Sequence, residues 1–125
     1  MTHSKKSKGF SLIEVLIALV ILSIALLALA GLMVQTTKNN SFGSHMTEAS
    51  TVAQDAFERL RARPYNSMGG GVDSVTGSTG QAYARNWVVI NNADSTQKLT
   101  TITVNWSDPI SHTISFNYNI LNLDK

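Results

Sequence analysis

Three patterns of apolar and polar positions divide this chain. From Val15 to Val34 apolar residues follow one another without a charge, interrupted only by Ser23 and Gly31. About 20 such residues reach roughly 30 Å as a helix, the thickness of a bilayer core. Further on, Phe42, Met46, Ala49, Ala53, Ala56 and Leu60 recur at spacings of three and four, flanked by Val52 and Phe57, which is one apolar stripe on an amphipathic helix. Pro64 stops the stripe, since it has no amide hydrogen and disfavours helix in the residue before it. The two patterns together predict one long helix from about Phe10 to Arg63, its first half in lipid and its second half under a small sheet. Gly31 and the Asn-, Ser- and Gly-rich section Lys38 to Ser44 are its weak points, because a mid-helix Gly costs about 1 kcal/mol relative to Ala.

The third pattern has period two. Tyr83 to Ile90 is rich in aromatic and β-branched residues. Leu99 to Trp106 puts Ile102, Val104 and Trp106 on one face, and His112 to Leu121 alternates through Ile114, Phe116, Tyr118 and Ile120. The last two are joined by Ser107-Asp108-Pro109-Ile110-Ser111, a turn suited to a hairpin. An antiparallel meander of three strands follows, its apolar face over the helix stripe, with Trp87 and Trp106 as the largest buried groups. The fold class is α+β. Between helix and strands, Tyr65 to Gln81 contains Gly69, Gly70, Gly71, Gly77 and Gly80 among Ser and Thr and reads as a flexible connection. It is not a phosphate-cradling loop, since no Lys followed by Ser or Thr comes after the glycines and no strand feeds them.

Glu14 stands at the edge of the span, where an unpaired carboxylate costs on the order of a few kcal/mol. The nearest cations, Lys5, Lys6 and Lys8, all precede Phe10. A cut after Gly9 would give Phe10 a free α-amine about one helical turn from Glu14, charged near neutral pH, and able to pair with Glu14 of its own chain or of a neighbour.

Gly9, Phe10, Ser11, Leu12, Ile13, Glu14 and the apolar run behind them resemble the type IV prepilin signal, shared by type IV pili, type II secretion pseudopili and competence pseudopili. The resemblance implies that a membrane-embedded prepilin peptidase cuts between Gly9 and Phe10 and N-methylates Phe10, and that Glu14 guides the subunit into a filament by meeting the amine of the adjacent subunit. It implies a pilin-like lollipop: leader 1–9, transmembrane and assembly helix 10–34, amphipathic continuation 35–63, and a small globular β-sheet domain 64–125. A plain signal anchor would need neither Glu14 nor the Gly9-Phe10 junction. A cleaved secretory signal has a shorter apolar region with small residues at its C-terminal end, whereas here the small residue comes first. Lys5, Lys6 and Lys8 orient the leader to the cytoplasm and the C-terminus outside.

Charge and composition change this picture little. The formal net charge is +2, from ten basic and eight acidic side chains. Loss of the leader's three lysines leaves seven basic against the eight acidic, a net charge of −1 on the mature side chains. The alkaline balance of the full chain is therefore no sign of nucleic-acid binding. There is no Cys, although the outer portion would lie where disulfides form. Many pilins close their C-terminal region with a disulfide, so this chain departs from that pattern and relies on packing.

Catalytic chemistry finds no support. His3, His45 and His112 fall in the leader, the helix and a strand without ligand spacing, and no serine sits in a nucleophile elbow. Asp73, Asp94 and Asp108 lack the dense oxygen pattern of a calcium loop. Arg59, Arg61 and Arg63 suit the negative end of the helix dipole. Catalytic, metal and cofactor residues are expected to be none.

The strand order adds to the resemblance. Trp87-Val88-Val89, then Thr101 to Pro109, then the strand containing His112, together with Ile24 to Leu32 in the span, are similar to minor pilins of the PilV type, with type II secretion minor pseudopilins of the I type as close relatives. The function implied is a non-enzymatic minor type IV pilin, held in the inner membrane and then incorporated at low copy near a pilus tip or in an initiation complex. Its implied partners are prepilin peptidase, other major and minor pilins, and the inner-membrane assembly platform. The alternatives are a type II secretion minor pseudopilin and a monomeric membrane-anchored binding module that uses Tyr65 to Gln81 or the hairpin turn.

Overall fold

The computed structural model describes residues 8–123, so most of the expected leader, with His3, Lys5 and Lys6, and the terminal Asp124 and Lys125 lie outside the described residues. The elements in order are α1 (Leu12–Arg61), a 3-10 turn (Tyr65–Ser67), β1 (Gly71–Thr76), β2 (Ala82–Asn91), β3 (Gln97–Asp108) and β4 (Ile110–Leu121). The chain divides into two compact units, Met1–Asn40 and Ser41–Lys125.

In the first unit the helix begins two residues later than Phe10 because Ser11 caps it. The Glu14 amide donates to Ser11 Oγ at 3.3 Å and the Val15 amide to the Ser11 carbonyl at 3.2 Å, which occupies groups a helix start otherwise leaves unpaired. The helix passes through Gly31 and through Lys38–Ser44 without a break. Local polar bonds accompany it: the Thr36 and Thr37 hydroxyls donate back to the Leu32 and Met33 carbonyls at 3.0 Å, and Gln35 Nε2 donates to Asn39 Oδ1 at 3.1 Å. Its apolar side chains from Leu12 to Val34 all lie exposed.

In the second unit the sheet order is β1-β2-β3-β4, every pair antiparallel. The α1 stripe lies on it as expected: Ala49 and Ala53 are wholly buried and Ala56 nearly so, packed with Tyr83, Ile102, Val104 and Trp106. Small alanines let the helix backbone come close, so the bulk of the core is supplied by the sheet, where each buried Ile or Val contributes about 1.5–3 kcal/mol. Leu60, Met68 and Ile120 make a second cluster under the helix end. The helix stops at Arg61, two residues short of Arg63, as the Arg63 amide turns to the Leu60 carbonyl at 3.1 Å.

Three expectations need correction. The connection Tyr65 to Gln81 is not a flexible loop: it holds the 3-10 turn and a fourth strand, β1, which pairs with β2 from Gly71↔Trp87 to Thr76↔Ala82. Its glycines hid a strand whose pairing residues Val72, Val75 and Thr76 carry strand propensity. Gly71 is required by contact, since a Cβ there would lie 2.6 Å from the Trp87 ring. Second, Trp87 is only half-buried and donates its indole N–H to the Gly69 carbonyl at 3.1 Å, while Tyr83 and Trp106 fill the core. Third, the hairpin turn is tighter than expected, with Asp108 paired to Ile110 and Pro109 alone at its apex.

Candidate functional site

The N-terminal site is built by the first turn of α1. Phe10 is 83 % exposed, and it lines a shallow apolar groove along the helix with Glu14, Val15, Ala18, Leu19 and Leu22. Phe10 lies ahead of the helix start yet shares this groove with Glu14. Ser11 and Glu14 stand in the Ser-x-x-Glu arrangement of a helix start, and a carboxylate in the first turn is favoured by the positive end of the helix dipole. Among the described residues nothing pairs with the Glu14 carboxylate. Behind it, the helix is apolar all round and long enough to cross a membrane, and none of that stretch is buried among the described residues. Such a helix needs lipid or other apolar helices around it.

Residues 4–30 match the model of the prokaryotic N-terminal methylation motif. The match takes in the Gly9-Phe10 junction, Glu14 and most of the apolar run. It supports a type IV pilin-like or pseudopilin-like prepilin, a class of prepilin peptidase substrates that assemble with other pilins, and it is consistent with a helix anchored in the inner membrane before assembly. Comparison with curated proteins and with solved structures finds no significant match.

The second unit has its own polar constellations, none of them singled out by sequence. Glu48, on the helix, accepts hydrogen bonds from Ser78 Oγ (2.7 Å), Thr79 Oγ1 (2.6 Å), the Thr79 amide (3.2 Å) and the Tyr83 hydroxyl (2.8 Å). These donors, the Thr79 hydroxyl foremost, hold its carboxyl down at about 2. Burial, and then the bond to Glu48, push the Tyr83 phenol up. Gly77 sits at the mouth of this clasp, where a Cβ would come within 2.2 Å of the Glu48 carboxyl carbon.

Arg85 is the deeper anchor. Only 2 % exposed, it donates Nε to Asp73 Oδ1 at 2.6 Å and pairs its Nη2 with the second Asp73 oxygen, while Nη1 reaches Asp55 Oδ2 and the Val52 carbonyl, each at 3.1 Å. The Asp73 bond raises the guanidinium's basicity, and the bond from Arg85 lowers the Asp55 carboxyl. Arg59 adds an i,i+4 pair to Asp55 at 3.0 Å, so it serves the helix surface as well as the dipole. His45 Nε2 and Ser41 Oγ both meet Asp108 Oδ2, at 3.0 and 3.1 Å, fixing the hairpin tip to the helix. Lys98, buried, caps the Tyr65 and Met68 carbonyls.

One signal could have found Arg85. Tyr83, Arg85, Trp87 and Val89 alternate on one face of β2, so an inward arginine demands carboxylates nearby. Asp73 and Asp108, weighed above as calcium ligands, are instead partners of Arg85 and of His45. Among the described residues no group of three or more His, Asp or Glu side chains is arranged to hold a metal ion.

Proposed function

We propose that this chain is a minor type IV pilin: a membrane-held prepilin cut between Gly9 and Phe10, N-methylated on Phe10, and drawn into a pilus by Glu14, near the tip or in an initiating complex. The observation that carries the reading is the Glu14 carboxylate, unpartnered among the described residues in the first turn of a helix that is apolar on every side. Such a charge in lipid calls for a cation at the same depth. The amine released at Phe10 of an adjacent subunit has that charge, and helix-to-helix packing in the filament core would bring it there. The low copy number rests on the likeness of the strands and span to minor pilins. The C-terminus then faces outward, since Lys5, Lys6 and Lys8 keep the leader in the cytoplasm.

Two substitutions test it in cells that carry a prepilin peptidase and a pilus machine. In the wild type, intact-mass spectrometry should find a chain that begins at a methylated Phe10. Gly9→Leu should retain the leader and stay in the membrane. Glu14→Ala should be processed but fail to enter sheared filaments. If both variants matched wild type in mass and distribution, the assembly reading would be lost and a plain membrane-anchored module would take its place.

A further inference from the structure

The sheet ends in two unequal edges. β1 is 6 residues long, and its single charge, Asp73, is held by Arg85. β4 is 12 residues long and carries no lysine, proline or acidic residue. Its pairing to β3 is unbroken from Asp108↔Ile110 to Gln97↔Leu121, so it has no bulge either. Edge strands expose unpaired amides and carbonyls, and proteins guard them with charges, prolines, bulges or short length. β4 has none of these guards, and among the described residues no backbone hydrogen bond caps its outer side.

Burial marks the same edge. On β3, Ile102 and Val104 are fully buried. Their register partners on β4, Phe116 and Ile114, face the same core yet remain only half-buried. What they lack is a strand on their other flank.

Strand direction selects the occupant. Each neighbouring pair is antiparallel, so β1 and β4 run in opposite directions. A second copy displaced sideways without rotation, a relation open to copies inserted in one bilayer with one polarity, lays its β1 antiparallel along β4 with both core faces on the same side. Self-pairing of β4 would instead turn one copy end over end if antiparallel, or put the two core faces on opposite sides of the sheet if parallel. We propose that β4 is a strand-docking edge that receives β1 of a neighbouring copy of this chain, continuing the sheet from one subunit to the next. The contact is head-to-tail and leaves a free β1 and a free β4 at its ends, so it builds rows rather than closed dimers. Pairing over 6 residues falls short of the roughly 1,000 Å² typical of a stable soluble interface. Confinement to one membrane supplies the effective concentration, so the contact joins membrane-held copies and is compatible with a low copy number in the filament. The shared polarity rests on the membrane-held reading above, whereas the two edges do not.

The absence of Cys makes the test direct. Ser74 on β1 and Ser115 on β4 are exposed and lie on the outer sheet face. Full-length Ser74→Cys/Ser115→Cys chains in membranes, treated with a short bis-maleimide, should give a ladder of dimers, trimers and higher species. Either single variant should stay monomeric, and the two singles co-expressed should stop at dimers. Adding Asn117→Lys to the double variant should remove the ladder with tryptophan fluorescence unchanged. The proposal is overturned if Ser115→Cys alone cross-links as well as the double variant, if the ladder survives Asn117→Lys, or if no ladder forms in a chain that inserts normally. In a Gly9→Leu background the ladder should persist, so a failure of processing and a failure of edge docking are read separately.

Discussion

Arg85 permits a prediction with an order as well as a size. Asp73→Ala removes the acceptors of Nε and Nη2 from a guanidinium that is 2 % exposed, leaving it with Asp55 and one helix carbonyl. Breaking a buried pair from one side costs about 3–5 kcal/mol, because a charge is stranded out of water. The surviving bonds to Asp55 and Val52 place this case at the lower end, about 3 kcal/mol. Arg85→Met behaves differently. It removes the buried charge, fills a similar volume, and leaves two carboxylates that are each more than a third exposed and can rehydrate. Its cost should be about 1 kcal/mol. The milder change is thus the one that deletes all the hydrogen bonds. Urea unfolding of the full chain in detergent micelles would measure this by tryptophan fluorescence, since Trp87 and Trp106 both lie in the sheet unit. With a slope on the order of 1 kcal/mol per M for a small domain, Asp73→Ala should lower the midpoint by about 3 M and Arg85→Met by about 1 M. Equal shifts, or a larger one for Arg85→Met, would refute the view that stranded charge dominates here.

Glu48 gives a pH signature. Its carboxyl is held at about 2 against an ordinary 4.5, so its contribution is fully present above the unfolded value and is lost as the pH falls through the folded one. The sheet unit should keep its stability above about pH 5 and lose it between roughly pH 4.5 and 2, and Glu48→Gln should flatten that slope in a fluorescence-monitored titration. Asp55, also lowered by its Arg85 bond, adds to the same loss. Gly77→Ala should displace the Glu48 carboxylate and reproduce the flattened slope, with no further change when combined with Glu48→Gln. Gly71→Ala sets a methyl against the rigid Trp87 ring and should cost about 1–3 kcal/mol while altering Trp87 emission.

Much of the architecture was legible because it follows from periodicity. The helix stripe from Met46 to Leu60 and the inward rows of β3 and β4 are local patterns, and burial follows them closely. The fourth strand is hard to read from the pattern because β1 is short, follows Gly69 and Gly70 and itself starts at Gly71, so few of its residues carry strand propensity. Helix ends differed by two residues at each terminus, where Ser11 and the turn at Arg63 decide the last bonds.

By itself the sequence determined the class of the N-terminal segment. The Gly9-Phe10 junction, one carboxylate and an uninterrupted apolar run are contiguous, so their pattern needs no folding to be seen, and the match over residues 4–30 spans them. Only the tertiary structure decided which polar groups hold the outer unit together. Glu48 meets Ser78, Thr79 and Tyr83 across separations of 30 to 35 residues, and Arg85 meets Asp55 across 30. Such pairs depend on register between helix and sheet, which no local pattern encodes. The bare edge of β4 likewise exists only once β3 has taken the other side, because an edge is a property of the assembled sheet.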